Sequence, residues 1–322
     1  MREESDVTTE QLDQPVSGKR ADAIFKGVAY ACGIIILLAL AAVTVFLLYR
    51  AWPIIAGDRQ AKVETIESFT GGRAHNFLQF VGPLVFGTVL VAGLALLIAF
   101  FVAIGIALFI THYAPKSLAS ALNYIVDLLA AIPSVVYGLW GGIVLVPAIE
   151  PFWAFLAKYL GWIPIFAGPV ANPARTVGTT AVVLAVMILP IITSMSRDIF
   201  AQTPRLYEEA ALALGATKWE MVRLAVLPFG KSGVVSASML GLGRALGETM
   251  AVLMILSPGL KYSVKLLQAS QNQTIAANIA AQYPEANSQG VSALIGTGLV
   301  LFLITFLVNY LARRITRKQV AK

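Results

Sequence analysis

Along this 322-residue chain the apolar positions fall in long unbroken blocks, not in the alternating or every-third-residue patterns of a water-soluble fold. Six blocks reach the roughly 20 residues of helix that cross a bilayer core of about 30 Å. They are 26–49, 83–110, 120–148, 177–197, 233–256 and 291–312. The first follows a polar, acidic stretch and is longer than the apolar core of a signal peptide, about 7–15 residues. It reads as an uncleaved first span. Two blocks are interrupted by proline, Pro133 in LLAAIPSVVYGLWGG and Pro190 in VMILPIITS. Proline removes a helical N–H and crowds the carbonyl one turn back, which predicts a kink or break. Such a break is tolerated at membrane depth where neighbouring helices or a water-filled cavity satisfy the freed groups. For Pro190 a passive packing kink is an equal alternative. At Pro133 the following Ser134, Tyr137, Gly138, Gly141 and Gly142 favour a break beside a cavity.

Composition agrees with lipid as the solvent. The chain is 58% hydrophobic and 13% charged, too few charges to cover a soluble surface. Cys32 is the single cysteine, so no disulfide can form within the chain. The net charge of +7 would suggest nucleic acid only if it were gathered on one face. It is instead distributed by loop. Six spans put both ends of the chain on one side, and Lys and Arg accumulate there: Arg2, Lys19, Arg20 and Lys26 in the N-terminal tail, Lys116, five in the 197–232 loop and five in the C-terminal tail. The opposite loops hold about half as many, and by the positive-inside rule both termini are expected in the cytoplasm. The reading is an all-α integral membrane protein: a 1–25 tail, a 26–312 six-helix domain and a basic 313–322 tail, with no nucleic-acid partner.

The outer connections are more than linkers. IEPFWAFLAKYLGWIPIFAGP is apolar but broken by Pro151, Gly161 and Pro164. It predicts a short interfacial or re-entrant helix anchored by Trp153 and Trp162. The polar stretch 264–290 and the charged 51–82 loop are expected on the outer surface.

The largest inner loop, about 198–232, divides into two short helices. Thr203 is placed to cap the first, with Pro204 at its first position. Leu206, Ala210 and Leu214 share a face, and Gly215 ends it. Thr217 with Glu220 predicts a capping box for a second helix that stops at Pro228. The helix–glycine–helix elbow is slim at Ala210, Ala211 and Gly215, as a knob entering a partner's cleft needs. An amphipathic hairpin resting on lipid is the alternative from spacing alone. The run Glu209-Ala210-Ala211, Gly215, then Ala225-Val226-Leu227-Pro228 resembles the EAA loop of bacterial ABC importer permeases, with Ala225 where that family usually has isoleucine. The resemblance implies a type I ABC importer architecture, with Glu209, Ala210, Ala211 and Gly215 on a coupling helix docked to an ATP-hydrolysing subunit.

Two other patterns are set aside. GKS at 230–232 lacks the glycine that a phosphate-binding loop places five residues before Gly230, where Ala225 stands, and no strand precedes it. The chain is thus expected to bind no ATP itself. His75 and His112, the two histidines, form no HExxH pair and are expected to be solvated.

One segment conflicts with its surroundings. GLGRALGETMAVLMIL, 241–256, carries Arg244 and Glu248 one helical turn apart inside the fifth block. Arg244 is expected near mid-membrane, where an uncompensated charge costs from about 3 to over 10 kcal/mol. In one reading the two charges neutralise each other while Gly243 and Gly247 let another helix pack closely. In the other, the Arg244 guanidinium offers its planar fork to an oxyanion and Glu248 moderates the attraction. GLGRALGETMAV, LLAAIPSVVYGLWGG and SALIGTGLVLFLITFLVNYLARR are together similar to permeases of the phosphate-specific transport family, the PstC type in particular, over about 20–316. That resemblance implies a permease subunit moving inorganic phosphate inward with a related second permease, an ATPase dimer using ATP and Mg, and an external phosphate-binding protein. It places Arg244 and Glu248 on the translocation path. Asp127, almost two turns before Pro133, is expected at an inner gate or in an interface-level capping role. Permeases for sulfate, molybdate or phosphonate and an ion-coupled carrier are the rival readings.

Overall fold

The computed structural model describes residues 19–56, 63, 66–67 and 70–320. Residues 1–18 of the expected N-terminal tail, and parts of the 51–82 loop, lie outside these. Helix α1 (Lys19–Ala56) exposes Ile34, Ile35, Ile36, Leu37 and Leu38, five consecutive apolar side chains that face all round the helix. An all-round apolar helix suits lipid, not water. The unit from Arg50 onward holds the rest of the fold.

In that unit α2 (Phe77–Leu108) and α6 (Val177–Ala201) form the centre. Ala92, Ala95, Ala99, Ala103 and Ala107 recur every three or four residues along α2 and are all almost fully buried. Small residues on one stripe let helix backbones approach, and close packing is what holds helices together where lipid is as apolar as their side chains. Opposite them Leu184, Met187, Ile188 and Ile192 of α6 are buried too. Helix α6 runs without interruption through Pro190.

The third span differs from the expected 120–148. Helix α3 (Lys116–Ala130) ends before Pro133, as the proline predicts. The span then runs as α4 (Ser134–Trp140), a π-helical turn (Gly141–Leu145) and α5 (Val146–Leu160), a continuous helical stretch. The first part of IEPFWAFLAKYLGWIPIFAGP is therefore span and not an interfacial helix. Trp153 is no interface anchor: its ring is buried and its Nε1 donates to Thr179 Oγ1 at 2.9 Å. Trp162 is exposed, as an anchor should be.

The fifth span is also displaced. After the elbow helix α7 (Arg205–Ala213), helix α8 (Lys218–Met221) passes through a π-helical turn (Val222–Val226) into α9 (Leu227–Leu246) without stopping at Pro228. The reason recurs elsewhere. π-helical turns at Phe109–Tyr113, Gly141–Leu145 and Val222–Val226 precede Pro115, Pro147 and Pro228 by two residues each. The residue four before each proline (Thr111, Ile143, Leu224) lies inside the wide turn. There its carbonyl is moved out of the register in which the ring would strike it. At Pro147 and Pro228 the helix passes through a proline that would otherwise end it, whereas at Pro115 it stops at Tyr113 and Ala114 is extended.

Helix α10 (Met250–Ile255) follows a break after α9, and α12 (Ser288–Val320) continues through most of the expected 313–322 tail. The stretch 264–290, expected at the surface, folds back into the bundle. Helix α11 (Ile275–Gln282) has Ile275, Ala277 and Asn278 buried, and Asn272 and Thr274 before it are buried as well. Its backbone is taken up by the spans: Ile275 N donates to Thr88 Oγ1 at 3.0 Å, and Gly178 N to Leu266 O at 3.0 Å. Polar residues go inside when their groups find partners there.

Candidate functional site

The site begins where α9 stops. Gly247 N donates to Gly243 O and Glu248 N to Ala245 O, closing the last turn, and the chain is non-helical at 248–249 before α10. Arg244 therefore stands in the last turn of a long helix, not midway along a continuous one, and Glu248 lies beyond that helix. The expected pairing on one helical face does not occur. Among the described residues no ion pair joins Arg244 to Glu248. Each charge is compensated by backbone instead. The last carbonyls of α9 form the negative end of its dipole, which suits Arg244. Glu248, 7% exposed, accepts from Ala251 N at 3.1 Å in the first turn of α10. Nor do Gly243 and Gly247 receive a helix within this chain: a Cβ at Gly243 would meet nothing within 4 Å.

Arg244, half-buried, lines a cleft of about 620 Å³ between α6, α9 and α12, with Ile191, Ser236, Met239, Gly243 and Asn309. Ser236 and Arg244 are eight residues apart on α9, roughly 12 Å along one face. Sequence reading missed Ser236 and Asn309. The signal for Asn309 was available, because a lone amide inside an apolar span is itself a functional pointer. Tyr137 was noticed only as a residue after Pro133. Its hydroxyl donates to Leu129 O at 2.9 Å, satisfying a carbonyl freed by the break, and Arg244 is near enough to act on it electrostatically. Helix α4 reaches this region because Gly138 lacks a side chain: a Cβ there would lie 2.9 Å from Ala251 Cα on α10.

The elbow forms the second part. Helix α7 buries none of its residues; Glu209 and Ala210 are exposed, Ala211 is half-buried, and Leu206 and Leu214 are 71% and 90% exposed. Gly215 turns the chain with φ +86°. Thr203 does not cap α7, which begins one residue after Pro204, and its hydroxyl is buried without a partner. The capping box of α8 forms as expected: Glu220 Oε2 accepts from Thr217 N and Oγ1, both at 2.8 Å, and Glu220 N donates back to Thr217 Oγ1. Thr217→Ala is expected to remove about 1 kcal/mol of local helix stability. Hydrogen exchange should read it as roughly fivefold faster amide exchange at 218–221, with α6 unchanged.

At the root of the elbow His112 is not solvated. Its side chain is 8% exposed, Nδ1 lies 2.6 Å from Thr111 Oγ1, and Nε2 lies 3.5 Å from Glu208 Oε1. His75 is exposed and pairs with Glu67. Asp127, with its side chain 54% exposed, accepts from Arg197 at 3.4 Å. Pro133 holds the break itself.

Among the described residues, six helices long and apolar enough to cross a membrane, an exposed elbow between two of them, and a cleft lined by an arginine define an integral membrane permease. Residues 99–318 match the family described as binding-protein-dependent transport system inner membrane component, and the chain belongs to that family. It is 44% identical over 319 residues to the phosphate transport system permease protein PstC 2 of Mycobacterium tuberculosis, covering 96% of this chain and 98% of that protein. To the PstC protein of Mycobacterium leprae it is 44% identical over 301 residues (92% and 94% covered), and to that of Xylella fastidiosa (strain Temecula1) 38% over 310 residues (93% and 93%). The fold is similar to that of a bacterial alginate ABC transporter, solved in complex with alginate pentasaccharide-bound periplasmic protein (TM-score 0.54, 18% identity, 93% and 98% covered). It is also similar to the inward-facing MetNI methionine ABC transporter (TM-score 0.53, 18% identity, 74% and 96% covered). The resemblance read from the elbow and from GLGRALGETMAV is borne out at the level of family and fold.

Proposed function

We propose that this chain is the permease subunit of an ATP-driven importer that moves inorganic phosphate inward across the cytoplasmic membrane. The observation that carries this reading is Arg244 on the lining of the cleft, in no ion pair among the described residues. An arginine so placed offers its fork to an oxyanion. Because Glu248 is held by Ala251 N, it limits the local positive charge without closing over the arginine, and a passing anion is not trapped. The names of the relatives favour phosphate over sulfate, molybdate or phosphonate.

In this reading the exposed elbow, Glu209 through Gly215, docks on a partner subunit that binds ATP and Mg and hydrolyses the nucleotide. This chain binds neither. A second, related permease completes the pathway as a heterodimer, and a phosphate-binding protein delivers the anion from outside. The excess of Lys and Arg on the elbow side of the spans supports a cytoplasmic position for that side and both termini.

The test is uptake of labelled phosphate at micromolar concentration in cells with and without the chain, under ATP depletion and separately under an uncoupler. Uptake is expected to require the chain, to fail without ATP and to survive the uncoupler. Unchanged phosphate uptake without the chain would refute the cargo and turn attention to other oxyanions. Loss with the uncoupler at constant ATP would refute the ATP-driven reading in favour of an ion-coupled carrier.

A further inference from the structure

A polar cavity of about 580 Å³ lies at the root of the elbow, apart from the Arg244 cleft. Four elements meet in it: the π-helical end of α2 through His112, α3 through Asn123 and Asp127, the end of α6 through Arg197, and α7 through Glu208. Arg197 is the hub. Its side chain is only 15% exposed, and its guanidinium reaches Asp198 on its own helix at 2.9 Å and, across to α3, Asn123 Oδ1 at 3.1 Å and Asp127 Oδ1 at 3.4 Å. Asn123 and Asp127 are one turn apart on α3, so Nη1 of Arg197 reaches both, while Nε and Nη2 engage Asp198.

The carboxylates Asp127, Asp198 and Glu208 outnumber the guanidiniums of Arg197 and Arg205, leaving no surplus cation to hold a free anion. The cavity is therefore a linkage and not a second anion site. Its position says what it links. Arg197 lies six residues before Thr203, where α6 turns into the elbow, and its partners lie on α3, which ends at the Pro133 break. Beyond that break α4 lies against α10 at Gly138 and Ala251, and the Ala251 N–H holds Glu248 beside the end of α9.

We propose that Arg197 is a positioning residue that transmits displacement of the elbow, through Asn123 and Asp127, to the Pro133 break and hence to the Arg244 site. The inference rests on the reading of the elbow as the ATPase-docking piece. Coupling of this kind is established by a ratio of outputs and by a mutant cycle, not by proximity. The experiment uses the assembled importer in liposomes with its binding protein and measures phosphate moved per ATP hydrolysed. Arg197→Gln should lower that ratio about tenfold while ATP hydrolysis and the amount of assembled complex stay within about twofold. Arg197→Lys, which keeps the charge but loses the fork, should recover about half of the ratio. Asp127→Asn, at an exposed position safe for folding, should lower the ratio less, and the double variant should be no worse than Arg197→Gln alone.

If every variant keeps the wild-type ratio, or transport and hydrolysis fall together, the brace is structural only and the inference is overturned. If the unaltered importer shows no ATP-dependent phosphate uptake, the reading of the protein fails first and takes the inference with it.

Discussion

Arg244→Gln is expected to lower phosphate uptake by about a hundredfold or more, with the chain present in the membrane and assembled at wild-type levels. The separation of these two outcomes follows from the geometry. If Arg244 were locked to Glu248, removing it would leave a buried, unpaired carboxylate, which typically costs about 3–5 kcal/mol. Here Glu248 keeps its hydrogen bond from Ala251 N whatever stands at 244, so the fold has little to lose. What is lost is the guanidinium in the cleft. Arg244→Lys keeps the charge without the fork and should fall between the two. Glu248→Gln retains an oxygen for Ala251 N and should impair uptake less than Arg244→Gln. Because the two side chains do not touch, the double variant Arg244→Gln with Glu248→Gln should show the product of the single effects and no rescue. Normal transport by the double variant would sink the anion-path role of this pair. Uptake and membrane quantity measured on the same preparations decide all of these.

Gly215→Val is expected to abolish association with the ATP-hydrolysing partner proposed above, and uptake with it, while the chain itself still accumulates in the membrane. Gly215 has φ +86°, a left-handed conformation that a β-branched residue avoids at a cost of about 1–2 kcal/mol. No atom lies within 4 Å of a Cβ placed there, so the penalty comes from the backbone and not from a clash. The strain is relieved by turning the corner, which re-aims the exposed face of Leu206, Ala210 and Leu214. The buried bundle needs no adjustment, because α7 buries no residue of its own. Gly215→Asn, which tolerates the left-handed region, should retain most of the association. Co-purification of the partner subunit measures the effect directly. Equal loss with Asn and Val would mean that the side chain's bulk, not the turn, is what the partner rejects.

Much of this protein could be read from the order of its residues. Block length alone identifies the six spans, because a bilayer demands about 20 apolar residues wherever a helix crosses it. The break at Pro133, the turn at Gly215 and the Thr217–Glu220 capping box were legible for the same kind of reason. Each depends on residues within one or two turns of one another, and the geometry that joins them is local. The motif around Arg244 drew attention to a residue that the structure places on a cleft.

What failed was every inference about whether a local rule would be overridden. Pro228 reads as a helix end, but a π-helical turn lets the helix pass, and nothing in VRLAVLP announces that turn. The third and fifth spans were misplaced accordingly. Polar residues in 264–290 read as surface because sequence shows their polarity and not their partners. Thr88 and the backbone of the spans, nearly 190 residues away in one case, made burial acceptable. Arg244 and Glu248, four apart, read as a pair on one helix until the break after α9 separated them and gave each a helix terminus. The sequence by itself determined a six-span helical membrane protein, its elbow and its mid-span arginine, since these follow from composition and short-range spacing. Only the tertiary structure decided that the arginine lines a cleft without pairing to Glu248, that the side chains of His112 and Arg197 are largely enclosed at the elbow's root, and that the third span begins after its proline and runs on to Leu160. Those outcomes depend on which distant groups meet, and in a chain this apolar many packings satisfy the same hydrophobic pattern until the few polar groups choose among them.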